Sequence, residues 1–271
     1  MSAPEQDIAI AREWIARSDG VVIAAGAGMG VDSGLPDFRG REGFWNHYPA
    51  LKAAGIDFMR AASPATFRAD AQLAWGFYGH RLNLYRRVAP HAGFALLREL
   101  AAGKEHGAFV FTSNVDGHFQ RAGFADERVH ECHGSIHHLQ CLANCRGRIW
   151  SAEHFQPQTD DTRCRLLSPL PQCPDCGGLA RPNILMFGDG GWESRRSDEQ
   201  YERLARWLRG VRTPVAIELG AGTAVPSVRY FSESIGARVI RINPREAHIA
   251  PHLGIGLELG ALQALPLLLG G

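Results

Sequence analysis

Gly26-Ala27-Gly28-Met29-Gly30-Val31-Asp32-Ser33-Gly34-Leu35-Pro36-Asp37-Phe38-Arg39-Gly40 follows directly on the apolar run 21–25. The pair reads as a buried strand, a tight turn and a helix start. Small residues at Gly26, Ala27 and Gly28 let the backbone approach a diphosphate, and the N–H groups of a following helix start would face the anion. That is the chemistry of a dinucleotide site, although Val31 stands where the dehydrogenase fingerprint carries its third glycine. The second half adds an ordered lid of the kind a nicotinamide-type site needs. Pro36, Asp37, Phe38 and Arg39 supply rigidity, charge and an aromatic cover.

Further along, the short apolar run 108–111 ends at Thr112-Ser113-Asn114-Val115-Asp116. Polar residues at the C-terminal end of a strand are where open α/β sheets bind ligands. Asn114 and Asp116 suit an amide and a ribose, and Asp116 equally suits a cap on the next helix. Glu131-Cys132-His133-Gly134-Ser135 presents an imidazole, the usual group for taking a proton from a hydroxyl near pH 7, although with twelve histidines a structural role is the common one. The run 214–219 leads into a second glycine turn, Gly220-Ala221-Gly222-Thr223, and the run 237–242 ends at Asn243-Pro244. Two such strand–turn units in one sheet suit the two halves of a dinucleotide, so the chain reads as α/β with a parallel sheet.

Cys141-Leu142-Ala143-Asn144-Cys145 and Cys173-Pro174-Asp175-Cys176 form two knuckles with three and two residues between the cysteines. Tight thiolate pairs separated by a ribbon suit a closed, structural Zn2+ site. Cys132 and Cys164 are left over, and His137, His138 and His154 are alternatives for one ligand. On the helical run 64–87, Tyr78 and Arg81 share a face. A phenol and a guanidinium side by side would bind a carboxylate at the end of an acyl chain. The alternative is a Tyr packed in the core beside a surface Arg.

These motifs, with Phe187-Gly188 in addition, resemble the signature of the sirtuin family of NAD-dependent protein deacylases over roughly residues 20–266. The resemblance implies a Rossmann-like parallel sheet with helices on both faces, formed by 1–136 and 182–271, and a small zinc-binding module, 137–181, with the cleft between them. It implies NAD as a consumed co-substrate, held by Gly26, Ala27, Gly28, Asp37, Phe38, Arg39, Ser113, Asn114, Asp116, Gly222, Thr223 and Asn243. His133 would be the catalytic base, helped by Asn114 and Asp116. Phe187, Gly188 and Val228 would pair with the substrate peptide. The Tyr78/Arg81 pair resembles the subclass that removes malonyl and succinyl groups. The chain departs from the family pattern at Gly30, at Ser113 (usually Gln), at Asp189 (usually Glu), at Ala224 (usually Ser) and at Pro226. Acylated lysine side chains of proteins are the partners implied. Protein mono-ADP-ribosylation is the rival, on the run Phe119-Gln120-Arg121-Ala122-Gly123-Phe124, and NAD hydrolysis or nucleotide sensing are others.

The 271 residues are 45% hydrophobic with a formal net charge of +1. That is enough for a sizeable core and gives no broad pull toward nucleic acid or membrane. The N-terminus lacks a signal-peptide pattern and no run approaches 18 apolar residues, so a cytoplasmic address is expected. Residues 7–17 read as an amphipathic cover helix, 41–62 as a mobile lid without clear periodicity, and the polar stretch 156–165 as a poorly ordered loop.

Overall fold

The computed structural model describes residues 3–36 and 45–270. Asp37, Phe38 and Arg39, and with them the expected lid, lie outside the described residues. The run 21–25 becomes β1 (Gly20–Ala25), buried along its whole length. It pairs in parallel with β2 (Ala108–Thr112), which pairs in turn with β3 (Val129–Glu131). The chain then leaves for a second, smaller sheet. This contains β4 (Gly134–Cys141), β5 (Ile149–Ser151) and β8 (Ala180–Ile184), and a separate hairpin is made of β6 (Thr159–Asp160) and β7 (Arg165–Leu166). The main sheet is completed by β9 (Pro214–Leu219), β10 (Arg238–Ile242) and β11 (Gly254–Leu257) in the order β11-β10-β9-β1-β2-β3.

All five pairings of this sheet are parallel. Strand order therefore reverses between β1 and β9, and a crevice opens outside the carboxyl ends of those two strands. Alternate residues of β1 serve opposite faces, as the two-residue pleat requires. Val21, Ile23 and Ala25 pack with Phe94, Leu97 and Leu265, beneath the helices Ala3–Arg17, Gly93–Ala102 and Ala261–Leu269. Val22 and Ala24 face Trp207 and Val228 on the helices Arg195–Gly210 and Ser227–Ser234.

A second core lies beside the small sheet. The run 64–87 is two helices, Pro64–Ala69 and Ala71–Arg87, because the Asp70 side chain accepts Leu73 N–H at 3.0 Å and caps the second. Phe67, Trp75, Phe77, Tyr78 and Leu82 pack there against Ile136, Leu139, Ile184 and Met186. Two sequence expectations fail at this point. The described part of the 41–62 stretch is folded into short helices, Pro49–Ala53 and Phe58–Ala61, with Tyr48 and Leu51 buried. The 156–165 stretch is no loose loop either: it carries β6 and leads into β7, laid against the helix Ala71–Arg87. Glycine makes this possible, since a Cβ on Gly76 would lie 2.2 Å from Cys164 O. Among the described residues no helix is long and apolar enough to cross a membrane.

Candidate active site

The two glycine turns meet at the reversal point. Gly26 N–H donates to Leu219 O at 2.9 Å and Gly28 N–H to Gly220 O at 3.0 Å. A Cβ on Gly26 would lie 2.7 Å from Gly220 O, and one on Gly220, whose φ is +59, would lie 2.5 Å from Gly28 Cα. The glycines are thus required by backbone meeting backbone. The helix that follows is a single turn, Gly28–Val31.

The strand end after β2 is fixed to the first turn. Thr112 Oγ1 donates to Ala25 O (2.9 Å) and accepts Asn114 N–H (3.0 Å), while Ser113 N–H donates to Ala25 O (3.1 Å). The Asn114 amide nitrogen donates to Gly26 O at 3.0 Å, which places its carboxamide across the glycine turn. Asp116 is buried, and its Oδ1 accepts His118 N–H at 2.9 Å in a turn of the Asx type; the N-cap of the short helix His118–Arg121 is Gly117, so the expected cap is displaced by one residue. His137 braces the same residue, with Nε2 2.8 Å from Asp116 O.

At the outer end of the crevice the Asn243 amide donates to Ala221 O (2.9 Å) and its Oδ1 accepts Arg245 N–H and Glu246 N–H, both at 3.0 Å. Asn243 therefore shapes the second turn. Thr223, next to Gly222, bonds the Glu246 carboxylate through both its N–H (3.1 Å) and its hydroxyl (2.7 Å). Sequence reasoning missed Glu246, which no local motif marks.

His133 lies between β3 and β4, half-buried. Its Nε2 is 3.1 Å from Ser227 Oγ, and burial holds its pKa below the ordinary value, partly offset by a hydrogen bond to the Ser113 backbone. The preceding Glu131 is buried and anchored by Arg196 at 2.5 Å, while its N–H donates to Gln200 Oε1 at 3.0 Å. Burial pushes the neighbouring Cys132 thiol up to about 12, so it stays protonated. Leu185 N–H donates to His133 O at 2.9 Å, which carries the end of β8 past the imidazole. Phe187 follows, edge-on to Phe58 and with its N–H on Ala62 O at 3.0 Å, and Gly188 turns the chain at φ +64. Asp189 secures this turn from below in a buried pair with Arg181 (2.6 Å).

One expectation needs correcting here. Val228 cannot pair with a peptide, because it lies in the helix Ser227–Ser234 and its side chain is 1% exposed, in the core with Ala24 and Phe111. Adjacent helical residues point about 100° apart, and it is Ser227 that faces His133.

Tyr78 is packed in the core against Phe67 and Phe77, as the alternative reading has it, but Arg81 is buried beside it and is not a surface residue. Arg81 donates to Tyr85 Oη from Nε (3.1 Å) and Nη2 (2.8 Å), and its guanidinium lies 5.2–5.6 Å from the ring centres of Phe77, Tyr78 and Tyr85. Burial works against its charge, and the phenols of Tyr85, Tyr78 and Tyr48 outweigh it, so its pKa is raised. Burial also lifts Tyr78 to about 12. Tyr85, four residues on from Arg81, is the partner that sequence reasoning missed.

The four knuckle cysteines converge with all sulfurs within 4.8 Å of one another. Cys141 Sγ to Cys176 Sγ and Cys145 Sγ to Cys173 Sγ are both 3.7 Å. Four sulfurs at the usual Zn–S distance of about 2.3 Å in a tetrahedron are about 3.8 Å apart. The donor set therefore fits Zn2+ with no histidine needed.

The profile of the Sir2 family matches residues 26–206, two thirds of the chain. The chain belongs to the Sir2 family. It is 30% identical over 264 residues to an NAD-dependent protein deacylase of Thermococcus kodakarensis, covering 96% of this chain and 93% of that one. It is 31% identical over 204 residues to the mitochondrial NAD-dependent protein deacylase sirtuin-5 of Danio rerio, covering 70% and 63%. A Sir2 homologue solved with ADP-ribose superposes with a TM-score of 0.71 at 25% identity over 96% and 94% of the two chains. In this Sir2 chain the glycine turns, Asn114 and His133 all follow the carboxyl ends of neighbouring strands of the main sheet.

Proposed function

We propose that this chain is an NAD-dependent protein-lysine deacylase that moves the acyl group of a modified lysine onto ADP-ribose, with nicotinamide released, and that His133 is its base. The observation that carries this reading is the imidazole held neutral by burial at the mouth of the crevice where the two glycine turns meet. NAD supplies the ribose carbon at which the acyl oxygen is captured. The crevice suits it by its place, outside the carboxyl ends of β1 and β9 where strand order reverses. Asn114 and Asp116 hold the nicotinamide end, with Ser113 beside them. Gly222, Thr223 and Glu246 meet the adenosine end, with Asn243 fixing their turn. The same reading counts Asp37, Phe38 and Arg39 among the residues that hold NAD.

The substrate is an acylated lysine in an extended segment of a protein, laid along 184–188 by strand addition. The split into 1–136 with 182–271 and 137–181 belongs to this reading, and so does a cytoplasmic setting. The buried Arg81 guanidinium beneath Tyr78 and Tyr85 supports a pocket for acyl chains that end in a carboxylate, of the malonyl and succinyl type.

The test is mass spectrometry of acetyl-, malonyl- and succinyl-lysine peptides incubated with NAD. His133→Ala should abolish deacylation of all three, and Arg81→Met should remove the preference for the acidic acyl groups. Intact peptides together with ADP-ribose attached to protein would establish the transferase instead.

A further inference from the structure

Ser227 sits at the first position of an eight-residue helix, half-buried, between the exposed Val225 and the buried Val228. Its Oγ is 3.1 Å from Nε2 of His133, and the ring's other partner is the Ser113 backbone. A neutral imidazole has one N–H and one lone pair, whereas a backbone carbonyl accepts only. With Ser227 at Nε2, the nitrogen left for Ser113 is Nδ1, so the proton is on Nδ1 and the lone pair on Nε2. Ser227 must then be the donor in the 3.1 Å contact. The lone pair of the base is consequently covered by a hydroxyl, while the oxygen of that hydroxyl keeps acceptor capacity toward the crevice.

We propose that Ser227 is a catalytic hydroxyl of this site, through which a substrate ribose hydroxyl gives its proton to His133. The proposal rests on the reading of His133 as the base. In the step, the substrate O–H bond breaks and its proton goes to Ser227 Oγ. The proton already on Ser227 passes to Nε2. Net, one proton leaves the substrate for the imidazole, the electron pair stays on the substrate oxygen, and Ser227 ends as it began. Residue type is decisive here, because only a side chain that both donates and accepts can do this, and position 227 offers a hydroxyl at hydrogen-bond distance.

The first measurement needs no substrate: 15N NMR of the histidine-labelled protein near pH 7. Wild type should show His133 as the Nδ1–H tautomer, and Ser227→Ala should keep it, because the Ser113 carbonyl that holds the proton on Nδ1 is untouched. A dominant Nε2–H tautomer in wild type overturns the proposal, since Nε2 would then have no lone pair to receive a proton. The second measurement compares Ser227→Ala, Ser227→Thr and His133→Ala in deacylation and in nicotinamide exchange, which precedes the proton transfer. Ser227→Ala should lose about 100-fold in deacylation, in the range of general-base effects, with exchange retained and Ser227→Thr restoring most of the activity. Full deacylation by Ser227→Ala overturns the proposal, as does parallel loss of exchange and deacylation, which marks a merely structural serine. His133→Ala reports separately on the base: if it deacylates normally, the parent reading fails whatever Ser227 does.

Discussion

His133 shows what a single side chain inherits from its surroundings. Burial lowers its pKa below the usual 6.5, and the Ser113 hydrogen bond only partly opposes this. A base works in its neutral form, so activity is present above the folded-state pKa and lost as pH falls through it. The acid limb of kcat/KM should therefore lie below pH 6.5, and an acid limb above pH 7 in a kcat/KM profile would refute this assignment. The same scale explains where sequence reasoning slipped. Val228 and Ser227 are neighbours in sequence, and nothing in the string tells which of them faces the imidazole until the helix fixes their directions. Arg81 is legible with Tyr78 as a pair for a carboxylate-ended acyl chain, yet its hydrogen-bond partner Tyr85 emerges only once Ala71–Arg87 is one continuous helix.

At the scale of elements, the glycine turns after β1 and β9 are the part of the site most fully written in the sequence, since strand–glycine patterns have a local cause. What the pattern could not convey is that the two turns are each other's partner. Gly220 has φ +59 and no room for a Cβ against Gly28, whereas Gly34 has φ +86 and nothing within 4 Å. The two positions therefore separate backbone strain from close approach. Gly34→Ala should cost only the left-handed penalty, about 1–2 kcal/mol. Gly220→Ala should cost about 1–3 kcal/mol more through overpacking and should also weaken NAD binding by separating the turns. Urea unfolding and an NAD titration of both variants decide this; equal losses of stability would mean that the turns do not depend on contact. The 156–165 stretch was misread for a related reason. Its polarity suggested a free loop, but Gly76 leaves a groove on a distant helix, and a groove of that kind has no signature within the loop itself.

At the scale of the molecule, two cores matter. The main-sheet core around β1 contains none of the zinc-site cysteines, while the second core joins the helix Ala71–Arg87 to β4, whose last residue is Cys141, and to β8, which follows Cys176 in the chain. Removing Zn2+ with a chelator should loosen the second body first. Hydrogen exchange should rise in 134–184 and 67–85 while β1, β2 and β9 keep their protection; uniform loss would make the molecule a single cooperative unit. Acid should act differently, through histidines buried neutral. His130, packed edge-on to Phe111 with its Nε2 3.1 Å from Ser197 Oγ, is lowered by burial to about 4, and so is His138. Between pH 6.5 and about 4 the unfolded chain binds protons at these sites and the folded chain does not, so stability is fully present above 6.5 and falls as pH drops. Each such group tilts the stability curve by about 1.4 kcal/mol per pH unit across that window. Denaturant unfolding at pH 7, 6 and 5 should show the decline. His130→Phe keeps an aromatic ring against Phe111 and removes one titration, so its curve should be visibly flatter than wild type over the same window. A parallel curve would mean that His130 takes up its proton in the folded protein as readily as in the unfolded chain.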